Sequence, residues 1–250
     1  MLVMGILNVT PDSFADGGEH FTYPDAVEHG LSLIAEGADI IDVGGESTRP
    51  GAERVSPAEE ERRVINVITK LADAGKAISI DTMRASTARA AVIAGASIIN
   101  DVSGGLADAS MLETAAELKV PYIAMHWRGH SKEMNNFAVY TNVVEEVIAE
   151  LNLRIEAALS AGVSKSNLII DPGIGFAKEQ SDNWAIIEEI DRFVALGYPV
   201  LVGASRKRFL GGDDPTARET ATIELTKRLS QSGIWAVRVH GVAANKAVLQ

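Results

Sequence analysis

Cysteine is missing from all 250 residues. That excludes a disulfide framework and any thiolate chemistry, and it points to a reducing compartment, the cytoplasm. Long hydrophobic stretches are missing too: no apolar run reaches the roughly 18 residues of a membrane span. The opening MLVMGILNV is apolar but has neither a basic n-region nor a small-residue cleavage site, so it does not read as a signal peptide. The glycosylation pattern NVT at Asn8 is then a chance match. Positive charge is scarce, with 23 Lys and Arg against 34 Asp and Glu and a net charge of −11. A broad nucleic-acid surface is excluded on that ground. A small anion can still be held where the few basic residues converge, so their positions are informative. Local metal and nucleophile signatures are absent as well. There is no HExxH, and the WRG between His126 and His130 reads as loop. Ser205 lies in no G-x-S-x-G elbow, and GASRKRFLGG lacks the G-K-[ST] ending of a P-loop.

What is present is a repeated alternation. Hydrophobic residues make up 46% of the chain, and eight of the apolar runs are rich in β-branched residues. These runs cover 2–9, 38–45, 77–82, 97–104, 120–127, 168–176, 199–206 and 235–242. Between them lie segments of helical periodicity, among them 25–37, 58–75, 140–162 and 217–233. Gly37, Gly75, Gly95, Gly162, Gly197 and Gly233 stand where helices would end. Strand then helix, eight times over, predicts parallel strands joined by right-handed crossovers. Strands apolar on both faces predict a sheet covered by helices. An α/β fold consisting of one (β/α)8 barrel over residues 1–250 is the simplest architecture, with a doubly wound open sheet as the alternative. The final AANKAVLQ predicts a last helix that is short or clipped.

In such barrels the chemistry sits where the strands end. The runs end in Asn8; in Asp42, Glu46, Thr48, Arg49 and Pro50; in Asp81; in Asn100 and Asp101; in Met125, His126 and Arg128; in Asp171, Phe176 and Lys178; in Ser205, Arg206, Lys207 and Arg208; and in Arg238 and His240. A single polar strand end often only caps the next helix. Eight at one level make a site. Arg49, Lys178, Arg206, Lys207, Arg208, Arg238 and His240 on one face of an acidic protein predict an anion site, for phosphate or pyrophosphate. Asp81, Asn100 and Asp171 supply donors and acceptors able to read a heterocycle, because each unmatched polar atom of a wrong ligand costs about 1–3 kcal/mol.

Taken in order, MGILNVTPDSFADGG, DVGGESTRPGA, SIDT, INDVSGG, MHW, DPGIGFAK, GASRKRFLG and RVH resemble the dihydropteroate synthase family over nearly the whole chain. MHWR and GASRKRF look most like its actinobacterial members. The resemblance implies a (β/α)8 barrel transferase of folate biosynthesis. It would condense 6-hydroxymethyl-7,8-dihydropterin pyrophosphate with para-aminobenzoate to give 7,8-dihydropteroate and pyrophosphate. It also implies Mg²⁺ bound near Asn8, a homodimer, and sulfonamides as inhibitors. By the family pattern Asp81, Asn100 and Asp171 bind the pterin ring, with Lys207 nearby and Met125, Phe176 and Gly203 in the pocket. Arg238 and His240 resemble the pyrophosphate residues. Phe14, Thr48, Arg49 and Pro50 resemble those of the para-aminobenzoate site. The loop from Pro11 to Gly18 resembles a lid whose Asp16 fixes the closed loop or the departing charge. Asp16, Lys207, Arg238 and His240 are the implied catalytic set, acting on a C–O bond that ionises without a protein nucleophile.

One departure carries a consequence. After RVH the family usually has Asp, and here Gly241 follows. That removes a carboxylate beside the pyrophosphate residues and leaves a pterin-binding paralogue of weak activity as the alternative. A methyltransferase barrel with related pterin readers would lack the STRPG loop and the SRK run, and a purely structural role would leave the eight polar strand ends unexplained.

Overall fold

The computed structural model describes residues 1–10, 23–47 and 53–249. The predicted lid and the residues Phe14, Asp16, Thr48, Arg49 and Pro50 lie outside the described residues. Eight parallel strands follow the eight predicted runs: β1 (Leu2–Asn8), β2 (Ile40–Gly44), β3 (Ala77–Asp81), β4 (Ile98–Asp101), β5 (Tyr122–Met125), β6 (Leu168–Asp171), β7 (Leu201–Val202) and β8 (Ala236–Val239). Their order is β6-β5-β4-β3-β2-β1-β8-β7. A parallel bridge between Ile170 and Val200 joins the two ends of that order, with Ile170 N donating to the Pro199 carbonyl at 2.9 Å. The sheet therefore closes into the (β/α)8 barrel, and the open-sheet alternative falls away.

The helices are α1 (Tyr23–Ala35), α2 (Pro57–Ala72), α3 (Ala85–Ile93), α4 (Met111–Leu118), α5 (Val143–Ser160), α6 (Gln180–Glu188), α7 (Ile190–Val194), α8 (Pro215–Leu229) and α9 (Val242–Ala247). Where they differ from the predicted segments, capping sets the boundary. Ser56 Oγ accepts from Glu59 N ahead of Pro57, and Asp214 accepts from Thr216 N ahead of Pro215, so α2 and α8 start early. Asn142 caps α5 through Glu145 N, so that helix starts late. All six predicted stop glycines adopt positive φ.

Period-two alternation sorts the strand residues into two sets. One set faces outward. Val3, Leu7, Ile41, Val43, Ile78, Ile80, Ile99, Tyr122, Ile170 and Val237 join helix residues such as Leu33, Val64, Leu71 and Leu151 in the main core. Each fully buried aliphatic side chain there contributes about 1.5–3 kcal/mol. The other set faces inward. Met4, Ile40, Ile98, Ile123, Ile169, Leu201 and Ala236 form a separate apolar plug, with Ala77 of β3 packed against it. Two residues further along the same strands come Ile6, Asp42, Ser79, Asn100, Met125, Asp171, Gly203 and Arg238. The alternation thus places a polar layer directly above an apolar one, facing the barrel mouth.

Candidate active site

Arg238 is the centre of that polar layer. Its Nε donates to Asp42 Oδ2 at 2.5 Å and its Nη2 to Asp81 Oδ2 at 2.7 Å. Asn100 Nδ2 donates to the same Asp42 oxygen at 3.1 Å. One guanidinium thus serves two buried carboxylates. Burial pushes Asp81 up to about 7, with Asp42 adding to the effect and Arg238 opposing it. Asp42 Oδ1 and its register neighbour Ser79 Oγ are buried with no hydrogen-bond partner among the described residues. Such atoms cost about 1–3 kcal/mol each while unmet, so this layer holds polar capacity that the described residues leave unused.

Asp171 stands across the floor. Its Oδ1 accepts from Gly173 N at 2.7 Å, and burial raises its pKa against the pull of that bond and of Lys207, Lys178 and Arg238. Lys207 extends over the Phe176 ring, Nζ 4.4 Å from the centroid, and donates to the Ile174 carbonyl. The path of that side chain depends on Gly175, which has φ +76; a Cβ there would strike the Lys207 stem. Met125 packs with Met83 and Val102, with Phe176 against them, forming an apolar wall.

Above the floor opens a cavity of about 1260 Å³, lined in part by Asn8, Phe176, Gly203, Lys207, Arg238 and His240. Of the predicted site residues, these six line the cavity and Asp81, Asn100, Met125 and Asp171 lie beneath it. The predicted cations also meet here, but not all as free donors. Lys178 spends its ammonium on His126 Nδ1 at 2.9 Å and on the Gly173 and Phe176 carbonyls at 3.0 and 3.1 Å. It braces the β6–α6 loop. Arg206 pairs with Glu219, and Arg208 faces solvent beside Asp213 at 3.3 Å. His240 is held at two atoms by Ser205, whose Oγ accepts from His240 N at 3.1 Å and lies 3.0 Å from Nδ1.

The register separates two strand-end acids that both stood outside the implied site set. Asp42 lies at the heart of the floor, although it is absent from the implied site set. The signal for it was a carboxylate inside an otherwise apolar strand. Asp101 follows Asn100 and so faces outward, where it binds Ser103 N, Ser103 Oγ, Gly105 N and Tyr122 Oη at 2.7–2.8 Å. It is a structural tie. His126, also outward, lies between Lys178 and Glu150 Oε2 at 2.9 Å, and burial lowers it to about 4.

Burial lowers Lys207 to about 7, with Arg238 adding to the effect and Asp171 and Asp81 opposing it. The unfolded chain keeps this amine protonated up to about pH 10.5 and the folded chain only up to about 7. Its burial therefore costs stability in full below pH 7, less as the pH rises, and nothing above about 10.5. Lys207→Met, which keeps the stem on Phe176, should accordingly raise the unfolding free energy at pH 6 by on the order of 2 kcal/mol. The gain should shrink through pH 8–10 while ligand binding is lost. Denaturant titrations at three pH values check this; an equal effect at all three would contradict it.

The comparisons with known proteins agree with this geometry. The family profile described as pterin binding enzyme matches residues 4–240. A dihydropteroate synthase of Mycobacterium leprae (strain TN), in keeping with the actinobacterial cast of the motifs, is 49% identical over 99% of this chain and 91% of the relative. A Xanthomonas albilineans dihydropteroate synthase in complex with 7,8-dihydropteroate superposes with a TM-score of 0.89 at 43% identity, covering 99% of this chain and 90% of that one. A Yersinia pestis dihydropteroate synthase in a sulfonamide drug complex gives a TM-score of 0.93 at 35% identity, over 99% of this chain and 91% of that one.

Proposed function

The chain belongs to the pterin-binding enzyme family and stands among its dihydropteroate synthases, and from that premise we propose that it joins 6-hydroxymethyl-7,8-dihydropterin pyrophosphate to para-aminobenzoate. One observation carries the reading. Arg238 reaches down to Asp42 and Asp81 while lining the cavity with Asn8 and His240. An acid-and-amide floor for a ring and a cationic rim for an anion are thus fixed to one another.

The pterin ring lies over Asp81, Asn100 and Asp171, against Met125 and Phe176. Its pyrophosphate lies at Arg238 and His240. The methylene C–O bond breaks, its electron pair leaves with pyrophosphate, and the preorganised Arg238 guanidinium stabilises the growing negative charge. The aniline nitrogen forms the new C–N bond and gives up one proton. No protein nucleophile is required. The second substrate is assigned by family pattern to Phe14, Thr48, Arg49 and Pro50, and closure to the loop bearing Asp16.

No three His, Asp or Glu side chains cluster as metal ligands among the described residues. Asn8 at the cavity wall suits Mg²⁺ as one oxygen ligand, with the remainder supplied by water and pyrophosphate, a set this ion favours. When bound, the ion offsets charge on the leaving group. Asn8→Ala should therefore raise the Mg²⁺ concentration needed for half-maximal turnover by about tenfold, on the order of one lost oxygen contact, and leave binding of the pyrophosphate-free pterin unchanged. An unchanged Mg²⁺ dependence would remove Asn8 from the metal site. A homodimer and a cytoplasmic location belong to the same reading; no described helix is long and apolar enough to cross a membrane.

The two-substrate reading has its own test. A sulfonamide should raise the apparent KM for para-aminobenzoate at unchanged maximal rate. Inhibition unaffected by para-aminobenzoate would overturn it.

A further inference from the structure

Three features meet at one point on the rim. Arg206 has φ +55, a left-handed backbone that a residue with a Cβ seldom adopts. The turn there separates its two neighbours. Ser205 goes to His240, on the anion side, and Lys207 goes to Phe176 and Ile174, on the ring side. Helix α8 fastens the turn twice. Thr222 Oγ1 accepts from Arg206 N at 3.1 Å, and the Glu219 carboxylate pairs with the Arg206 guanidinium. Glu219 and Thr222 are three residues apart and share one face of the helix. The carboxylate fills the space in front of Gly241. A Cβ on residue 241 would collide with Glu219 Oε1 and lie 3.8 Å from Arg206 Nη2.

We propose that Glu219 is a positioning residue of the active site and that Gly241 is the partner that makes room for it. The carboxylate missing after His240 is supplied from α8. By holding Arg206, it keeps Ser205 against His240 while Lys207 reaches the ring pocket. Neither Glu219 nor Arg206 need touch substrate. Both are partly exposed, with side chains 25% and 46% accessible, so the pair can be altered without opening the core. The inference uses the condensation reading only for its assay.

The experiment compares the wild-type protein with Glu219→Gln, Glu219→Ala, Gly241→Asp and the double variant Glu219→Ala/Gly241→Asp. It measures kcat, KM for each substrate, pyrophosphate binding by calorimetry, and melting temperature. Glu219→Ala should lower kcat by about 10–100-fold, the scale of a small misplacement of reacting groups, and weaken pyrophosphate binding at nearly unchanged melting temperature. Glu219→Gln should retain most of the rate, since an amide oxygen still accepts from Arg206. Gly241→Asp alone should fall comparably, because its carboxylate meets that of Glu219. The double variant should recover most of the lost rate, the new carboxylate taking the place of the old beside Arg206. A double variant as poor as the product of the two singles would overturn the proposal. So would a Glu219→Ala protein with wild-type kcat, or single variants whose losses follow melting temperature alone. Absence of turnover in the wild type would instead sink the condensation reading, and the pyrophosphate calorimetry would still decide on Glu219.

Discussion

Arg238→Ala should destabilise the fold by about 3–5 kcal/mol, the cost of leaving buried charge without its partner, and should abolish turnover. The guanidinium is the only cation bonded to Asp42 among the described residues, and it also holds Asp81; those two side chains are 0% and 7% exposed. Removing it leaves two carboxylates together inside the barrel. The pH dependence gives the effect a sign. Burial already holds Asp81 up to about 7, and losing Arg238 raises it further. A group raised in the folded state favours folding below its unfolded pKa and loses that contribution as the pH rises through the folded value. The deficit of Arg238→Ala relative to wild type should therefore be largest near pH 8 and shrink towards pH 5. Denaturant midpoints across that range are the check. A deficit independent of pH would mean that the ionisation of Asp81 does not depend on Arg238.

Asp171→Asn should have the opposite character, a sound fold with a failed site. Asn keeps an oxygen for Gly173 N, and it removes a carboxylate whose burial is unfavourable. What it takes away is the negative charge beside Lys207 and Lys178. Both amines are already lowered to about 7 by burial, with Asp171 the first opposing influence in each case. Without it both should lose their protons below pH 7. Affinity for the pterin should drop by about 10²–10³-fold, in line with the 2–5 kcal/mol that accompanies truncation of a buried, hydrogen-bonded charge. Thermal stability should be equal to or above that of the wild type. Calorimetry of pterin binding tests this directly, and wild-type affinity in Asp171→Asn would contradict the floor as described.

The barrel was legible in the sequence because each strand had to be apolar on both faces. A run such as LVMGIL or YIAM has no polar face to offer solvent, so helices had to cover it. The stop glycines then marked where each helix ended. The site was legible only to the level of strand ends. Reading each end without its register merged Asn100, which faces in, with Asp101, which faces out to Tyr122. It also left Asp42 among the strand ends and outside the implied site, although its register turns it inward to Arg238 and Asn100. Charge was over-read for a different reason. A cation in a sequence shows no partner, and Lys178, Arg206 and Arg208 each have protein partners from other segments or from their own loop. What faces Gly241 was not legible either, because Glu219 lies 22 residues upstream and only the packing of α8 brings its carboxylate there.

This barrel mouth is expected to join a pterin electrophile to an aromatic amine. The most direct measurement follows dihydropteroate and pyrophosphate together in a mixture of the protein, dihydropterin pyrophosphate, para-aminobenzoate and Mg²⁺. Each component is omitted in turn, with Asp171→Asn as the control. The expected result is equimolar formation of both products, dependent on every component and lost in the control. Tight pterin binding with no aminobenzoate-dependent release of pyrophosphate would contradict the claim and leave a pterin-binding barrel that does not carry out the condensation.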